Sequence, residues 1–142
     1  MGKINVLKIE PMKTPHMIEI EDSLESLQHE VGGYIEATYP FDDYVGIICN
    51  EEGKINGLPL NRAIYNEVGE MADIIAGDFL VVGLGDEDFI SLNSEYAAKY
   101  SKLFQCPEQF IKIGGKISVI RNDAVAIPIP REMPMEENEP EL

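Results

Sequence analysis

Between Asn50 and Arg62 the chain gathers two bases, three asparagines and two acids in thirteen residues, Asn50-Glu51-Glu52-Gly53-Lys54-Ile55-Asn56-Gly57-Leu58-Pro59-Leu60-Asn61-Arg62. Lysine and arginine are the side chains that grip anions, arginine through a planar fork of donors. Asparagine both donates and accepts, and glycine lets the backbone come close to a bound group. The expectation is a ligand-binding loop. Lys54 and Arg62 would hold phosphate, Asn50 and Asn61 would read polar edges, and Glu51 or Glu52 would accept from a ribose hydroxyl or a base amine. A plain hairpin turn at Glu51-Glu52-Gly53-Lys54 explains Gly53 as well, but it accounts less fully for Gly57 to Arg62.

Elsewhere the chemistry is thinner. His16 and His29 have no second ligand at metal spacing and are expected on the surface. Cys49 and Cys106, the only cysteines, form no C-x-x-C pair and are expected as reduced thiols, with Cys49 buried at the end of an apolar run. Asp42-Asp43, Glu51-Glu52 and Asp86-Glu87-Asp88 offer oxygen ligands of the kind calcium and magnesium take, without EF-hand spacing, so they read as solvated turns. Gly83-Leu84-Gly85 follows a strand but lacks the third glycine and the helix of a dinucleotide-binding turn. No catalytic constellation, no metal set and no cofactor motif is expected. A metal-dependent hydrolase built on the acidic turns is the weakest reading.

Twenty-six acids against eleven bases give a net charge of −15. Such a chain repels phosphate backbones at long range, which argues against direct nucleic-acid binding. No run approaches 18 apolar residues, and the N-terminal Met1-Gly2-Lys3-Ile4-Asn5 has no apolar stretch of a secretory leader. A cytoplasmic protein without a membrane span is expected.

These residues must be positioned by short elements. Strands are predicted over Ile4–Ile9, His16–Glu21, Tyr34–Tyr39, Tyr44–Cys49, Phe79–Val82, from Phe89, and over Lys116–Arg121. A first helix follows Asp22, whose spacing to Glu25 is that of a capping box, and ends at Gly32-Gly33. A second begins at Asn93 or Ser94 and carries Tyr96, Tyr100, Leu103 and Phe104 on one face. Arg62 to Met71 reads as a short helix. Non-alternating strands with two principal helices predict an α+β fold with a mainly antiparallel sheet. Residues 1–130 form the expected domain, with Ala124–Pro130 an extended edge segment. Residues 131–142, five acids against one base, form an expected disordered acidic tail.

Three motifs together carry a resemblance: Leu24-x-x-Leu27-Gln28-x-x-Val31-Gly32-Gly33-x-Ile35-Glu36, then Cys49-Asn50-Glu51-Glu52-Gly53-Lys54 with Gly57-Leu58-Pro59-x-Asn61-Arg62, and Asp73-Ile74-Ile75-Ala76-Gly77-Asp78-Phe79-Leu80-Val81-Val82-Gly83. Over roughly residues 4–110 the chain is similar to a family of small proteins of Gram-positive bacteria and their phages that carries only a domain-of-unknown-function label. The resemblance implies no reaction. It implies a phage or mobile-element accessory protein, acting in the host cytoplasm if phage-encoded. The expected function is non-enzymatic binding of a small anionic, nucleotide-type ligand, as counter-defence, by a homo-oligomer. The alternative is an acidic mimic of DNA that blocks a basic host protein.

Overall fold

The apolar residues of β1 (Lys3–Ile9) part by parity: Ile4 and Val6 join one buried cluster, Leu7 and Ile9 another. In β4 (Val45–Asn50) Val45, Ile47 and Cys49 face away from Ile48, and in β7 (Phe79–Leu84) Phe79 and Val81 face away from Leu80 and Val82. Side chains on a strand alternate between faces, so strands covered on both sides read as unbroken apolar runs. These three form the middle of an antiparallel sheet of order β2-β1-β7-β4-β3, with β2 at His16–Glu21 and β3 at Ile35–Thr38 forming its edges. The computed structural model describes residues 2–121. The expected edge segment 124–130 and acidic tail 131–142 lie outside the described residues.

One face of the sheet is covered by α1 (Leu24–Val31), which buries Leu27 and Val31. Its N-cap is Ser23, whose hydroxyl accepts from the Ser26 amide, not Asp22 as the capping-box spacing predicts. The Asp22 amide is held by the Gly2 carbonyl at the end of the β1–β2 ladder, so the helix starts one residue later. Gly32 closes α1 at φ 78, where a side chain would be strained.

The other face is covered by a hairpin and a helix. The sequence predicts a short helix across Arg62–Met71; the structure has β5 (Leu60–Tyr65) and β6 (Met71–Ala76) instead. Asn66 makes the turn, its Oδ1 accepting from the Val68 and Glu70 amides. Cross-strand pairing of Arg62 with Ile75 and Ala63 with Ile74 then outweighs local helix propensity. A two-residue strand, β8 (Phe89–Ile90), extends the main sheet beside the end of β7. The helix α2 (Ser94–Leu103) is capped by Asn93, as expected, and packs Tyr100 and the following Phe104 into the core. After it comes a second hairpin, β9 (Glu108–Ile113) and β10 (Lys116–Arg121), of which the sequence predicts only the second strand. The fold is α+β, with mainly antiparallel sheet and two principal helices. Among the described residues no helix is long and apolar enough to cross a membrane.

Candidate functional site

The structure does not bring the six residues of the expected loop into one site. Asn61 and Arg62 sit in β5, and both are fully buried. Asn61 is the extra residue of a β-bulge between Leu60 and Arg62, and a bulge re-aims a side chain. Its Nδ2 donates to the carbonyls of Ile9 and Gly77 at 3.0 and 2.8 Å. The Arg62 guanidinium is spent on the fold: Nε and Nη2 donate to the Phe104 carbonyl, Nη2 to the Lys13 carbonyl at 2.7 Å, and Nη1 to Asn61 Oδ1. It thus satisfies the C-cap of α2 and anchors the β1–β2 turn, where Met12 takes φ 63. Burial pulls the guanidinium below its usual range, and Glu108 partly offsets that. The phosphate grip expected of Arg62 has no free donor face.

The other four diverge. Asn50 is buried, with Nδ2 on the Val31 carbonyl and Oδ1 accepting from the Glu52 amide, so it closes an Asx turn. Asn50 and Glu52 border a small cavity of about 320 Å³ at the end of α1, with Tyr34 and Asn56. Glu51 is exposed, and Lys54 turns to Asp73 at 2.8 Å. Gly53 does mark a close approach, but to the protein itself: a Cβ there would lie 2.8 Å from the Ala76 carbonyl oxygen.

The larger opportunity lies under α2. A cleft of about 410 Å³ opens between the β3–β4 loop, the end of β5, the buried side of α2 and the base of the β9–β10 hairpin. Phe41, Tyr100 and Phe104 make its aromatic side, with Phe41 and Tyr100 rings 4.8 Å apart and Phe41 and Phe104 rings 6.4 Å apart. Polar groups of both signs converge on it. Asp43 Oδ2 accepts from Lys99 Nζ at 2.6 Å and from the Tyr100 hydroxyl at 2.7 Å. Those two bonds hold the Asp43 carboxyl below the usual carboxylate range, while burial and then Asp43 push the Tyr100 phenol up. Across the cleft Glu108 is buried, its Oε1 accepting from the Ala63 amide at 2.9 Å and its Oε2 lying 3.8 Å from Arg121 Nε. Burial raises the Glu108 carboxyl, and burial followed by Glu108 raises the Tyr65 phenol.

Among the described residues the lining contains no serine, cysteine or histidine, so no Ser–His or Cys–His pair lines it. Cys49 is buried on the sheet, its thiol pushed up to about 11 by burial, far from the reactive range. Among the described residues no three His, Cys, Asp or Glu side chains group to hold a metal ion. What the cleft offers is an apolar aromatic surface with fixed acceptors and two cations at its margin, the makeup of a binding pocket.

Sequence reasoning misses this site. Tyr100 and Phe104 are visible as a helical stripe, which reads as core, and both are buried. Asp43 reads as a turn acid. Glu108, a lone acid opening an apolar strand, is the available signal, because an acid on the inward face of a strand needs a partner.

Residues 4–105 match a family described as a domain of unknown function, DUF3846. No curated protein and no solved structure matches the chain. The matched span contributes the loop, β5 and α2 to the cleft, while Glu108 and Arg121 lie beyond it.

Proposed function

The chain belongs to the DUF3846 family, and we propose that this member is a non-enzymatic binding protein that captures a nucleotide-type ligand in the cleft under α2. The observation that carries this reading is the convergence of an aromatic surface with polar groups of both signs in one cavity of about 410 Å³. A base ring gains by stacking against aromatic side chains, Tyr65 at the mouth and Phe41 within. Glu67 and Asp43 offer acceptors for amine or ribose donors, and Lys99 and Arg121 stand where an attached phosphate would meet cations. The ligand class is the one expected from sequence; the place has moved from the Asn50–Arg62 segment to the cleft. With the phage or mobile-element origin that the sequence resemblance implies, capture of this kind would withdraw a nucleotide-type defence signal from host proteins.

The test is native mass spectrometry with a panel of cyclic and linear nucleotides, on wild type, on Tyr65→Ala/Lys99→Ala and on Lys54→Ala. One bound nucleotide is expected, lost or weakened at least about tenfold in the cleft variant, as stacking energies of this kind predict, and unchanged in Lys54→Ala. Binding that survives in the cleft variant but fails in Lys54→Ala returns the site to the loop. An empty spectrum across the panel sinks the reading.

A further inference from the structure

The β9–β10 hairpin is the anomalous element of the molecule. Its register places Phe110, Val119 and Ile117 on one face, and Ile111, Ile113 and Ile120 on the other. Ile113 is 66% exposed, and Ile111 and Ile117 are each 39% exposed. A two-stranded hairpin is marginal alone, and one with bare apolar residues on both faces is built to meet another surface. It is also the basic part of an acidic chain. Residues 108–121 hold Lys112, Lys116 and Arg121 against Glu108, a charge of +2 in a chain of −15, so the remainder carries −17. That remainder is the surface the hairpin is electrostatically matched to.

We propose that the hairpin is a self-association arm, and that β10 adds to the outer edge of β2 in a second copy of this chain. β2 ends the main sheet, so among the described residues its outer backbone groups have no ladder partner. Open edges of this kind are templates for strand addition. The side chains match in antiparallel register. With Lys116 opposite Glu21, Ile117 meets Ile20 and Val119 meets Ile18. These continue the rows that β2 already forms with Ile4 and Val6 of β1. Met17, itself 41% exposed, then faces Ile120. Glu19, Asp22 and Glu25 surround that edge with further negative charge, against which Lys112 and Lys116 are complementary. Exchange of two arms would close a symmetric dimer, the commonest oligomer.

The test uses the full chain in sedimentation velocity or native mass spectrometry across concentration, with hydrogen exchange on β10. A dimer is expected. Lys116→Glu places like charges across the new ladder and should weaken it about tenfold or more, as opposed carboxylates in a strand pair predict when the contact occurs twice. Lys116→Glu combined with Glu21→Lys should restore it, which a merely structural role for Lys116 would not. Ile113→Asp, cross-strand from Lys116 on the same hairpin face and tolerable in a folded monomer because Ile113 is 66% exposed, is a second variant that should also weaken the dimer, and it keeps the proposal falsifiable if salt screens the charge pair. A wild type that stays monomeric overturns the proposal, and protected β10 amides in that monomer would assign the arm to the chain's own acidic C-terminal residues. A dimer indifferent to Lys116→Glu and Ile113→Asp, or one not restored by the charge swap, also overturns the pairing.

Discussion

Arg62 and Arg121 both act on the same carboxylate, Glu108, and they have opposite fates. Arg62 is wholly inside, and its donors go to the carbonyls of Phe104 and Lys13 and to the side chain of Asn61. Arg121 stands half exposed at the mouth of a cleft, 3.8 Å from Glu108 Oε2. The same division separates the segments they belong to. Asn50 to Arg62 is rich in polar residues because the fold has many carbonyls to satisfy there: Val31, Ile9, Gly77, Lys13 and Phe104 all receive a side-chain donor from it. The cleft is poorer in conspicuous residues, yet its polar groups border open space. Polar richness in a sequence therefore signals either a ligand or unsatisfied backbone, and only the count of orphaned carbonyls decides which.

The sharpest way to break this contrast is Arg62→Ala. It leaves the Phe104 and Lys13 carbonyls without donors and opens a void at the junction of β5, α2 and the β1–β2 turn. A loss of about 3–5 kcal/mol is expected, the range for dismantling a buried hydrogen-bonded charge. Urea unfolding followed by circular dichroism measures it. A loss below about 1 kcal/mol, the usual scale of surface substitutions, would mean that the guanidinium is available to a ligand after all. Asn61→Ala comes next. It strips two buried carbonyls and one Arg62 donor of their partner, and about 2 kcal/mol is expected from the cost of unsatisfied buried groups.

Much of the fold is legible because the strands of the main sheet announce themselves. Val6-Leu7, Ile47-Ile48 and Phe79 to Val82 are apolar on both parities, and Gly32 and Asn93 punctuate the helices by well-understood capping chemistry. The β5–β6 hairpin is not legible. Arg62 to Met71 has no period of either kind, and Asn66 makes its turn through side-chain acceptance that composition does not reveal. The site is less legible still. Asp43, Lys99, Tyr100 and Glu108 come from separate stretches of chain, and only the fold brings the β3–β4 loop, the end of β5, α2 and the β9–β10 hairpin to one cleft. The segment that does look like a site is conspicuous for a structural reason.

Glu108→Gln tests the cleft side of the contrast through pH. Burial raises the folded carboxyl above its ordinary value of 4.5, so the native state holds this proton longer than the unfolded chain does. Stability then falls as pH rises from about 4.5 through the folded value, and is level above it, because within that window the native state binds more protons than the unfolded one. Glutamine keeps an acceptor for the Ala63 amide and does not titrate. The stability of wild type relative to Glu108→Gln should therefore decline with rising pH across the window, with a slope below the one-proton limit of about 1.4 kcal/mol per pH unit. Asp43, held low by Lys99 and Tyr100, loses its contribution as pH falls, but it is common to both proteins and cancels. A difference that grows with pH instead would show that Arg62 and Arg121 outweigh burial.

Lys54→Ala should do least, and that is its value. Lys54 is the other expected phosphate grip, and it pairs with Asp73, in an ion pair whose side chains are 57% and 50% exposed. Exposed pairs of this kind are screened by water and salt and spend side-chain entropy to form, so a change within about 0.5 kcal/mol is expected. Asp73 does not depend on the pair, since its Oδ1 also accepts from the Ile74 amide. The same variant should leave nucleotide binding untouched if the cleft is the site. Thermal denaturation and ligand titration on one preparation read both quantities. A silent Lys54 beside a costly Arg62 would place the two bases of one motif at opposite ends of the scale, with burial as the variable that separates them. A Lys54 whose loss removes binding would show the exposed rim of the loop acting on a ligand while its buried end holds the fold, so that the motif divides between the two roles at Gly53, where the backbone presses on Ala76.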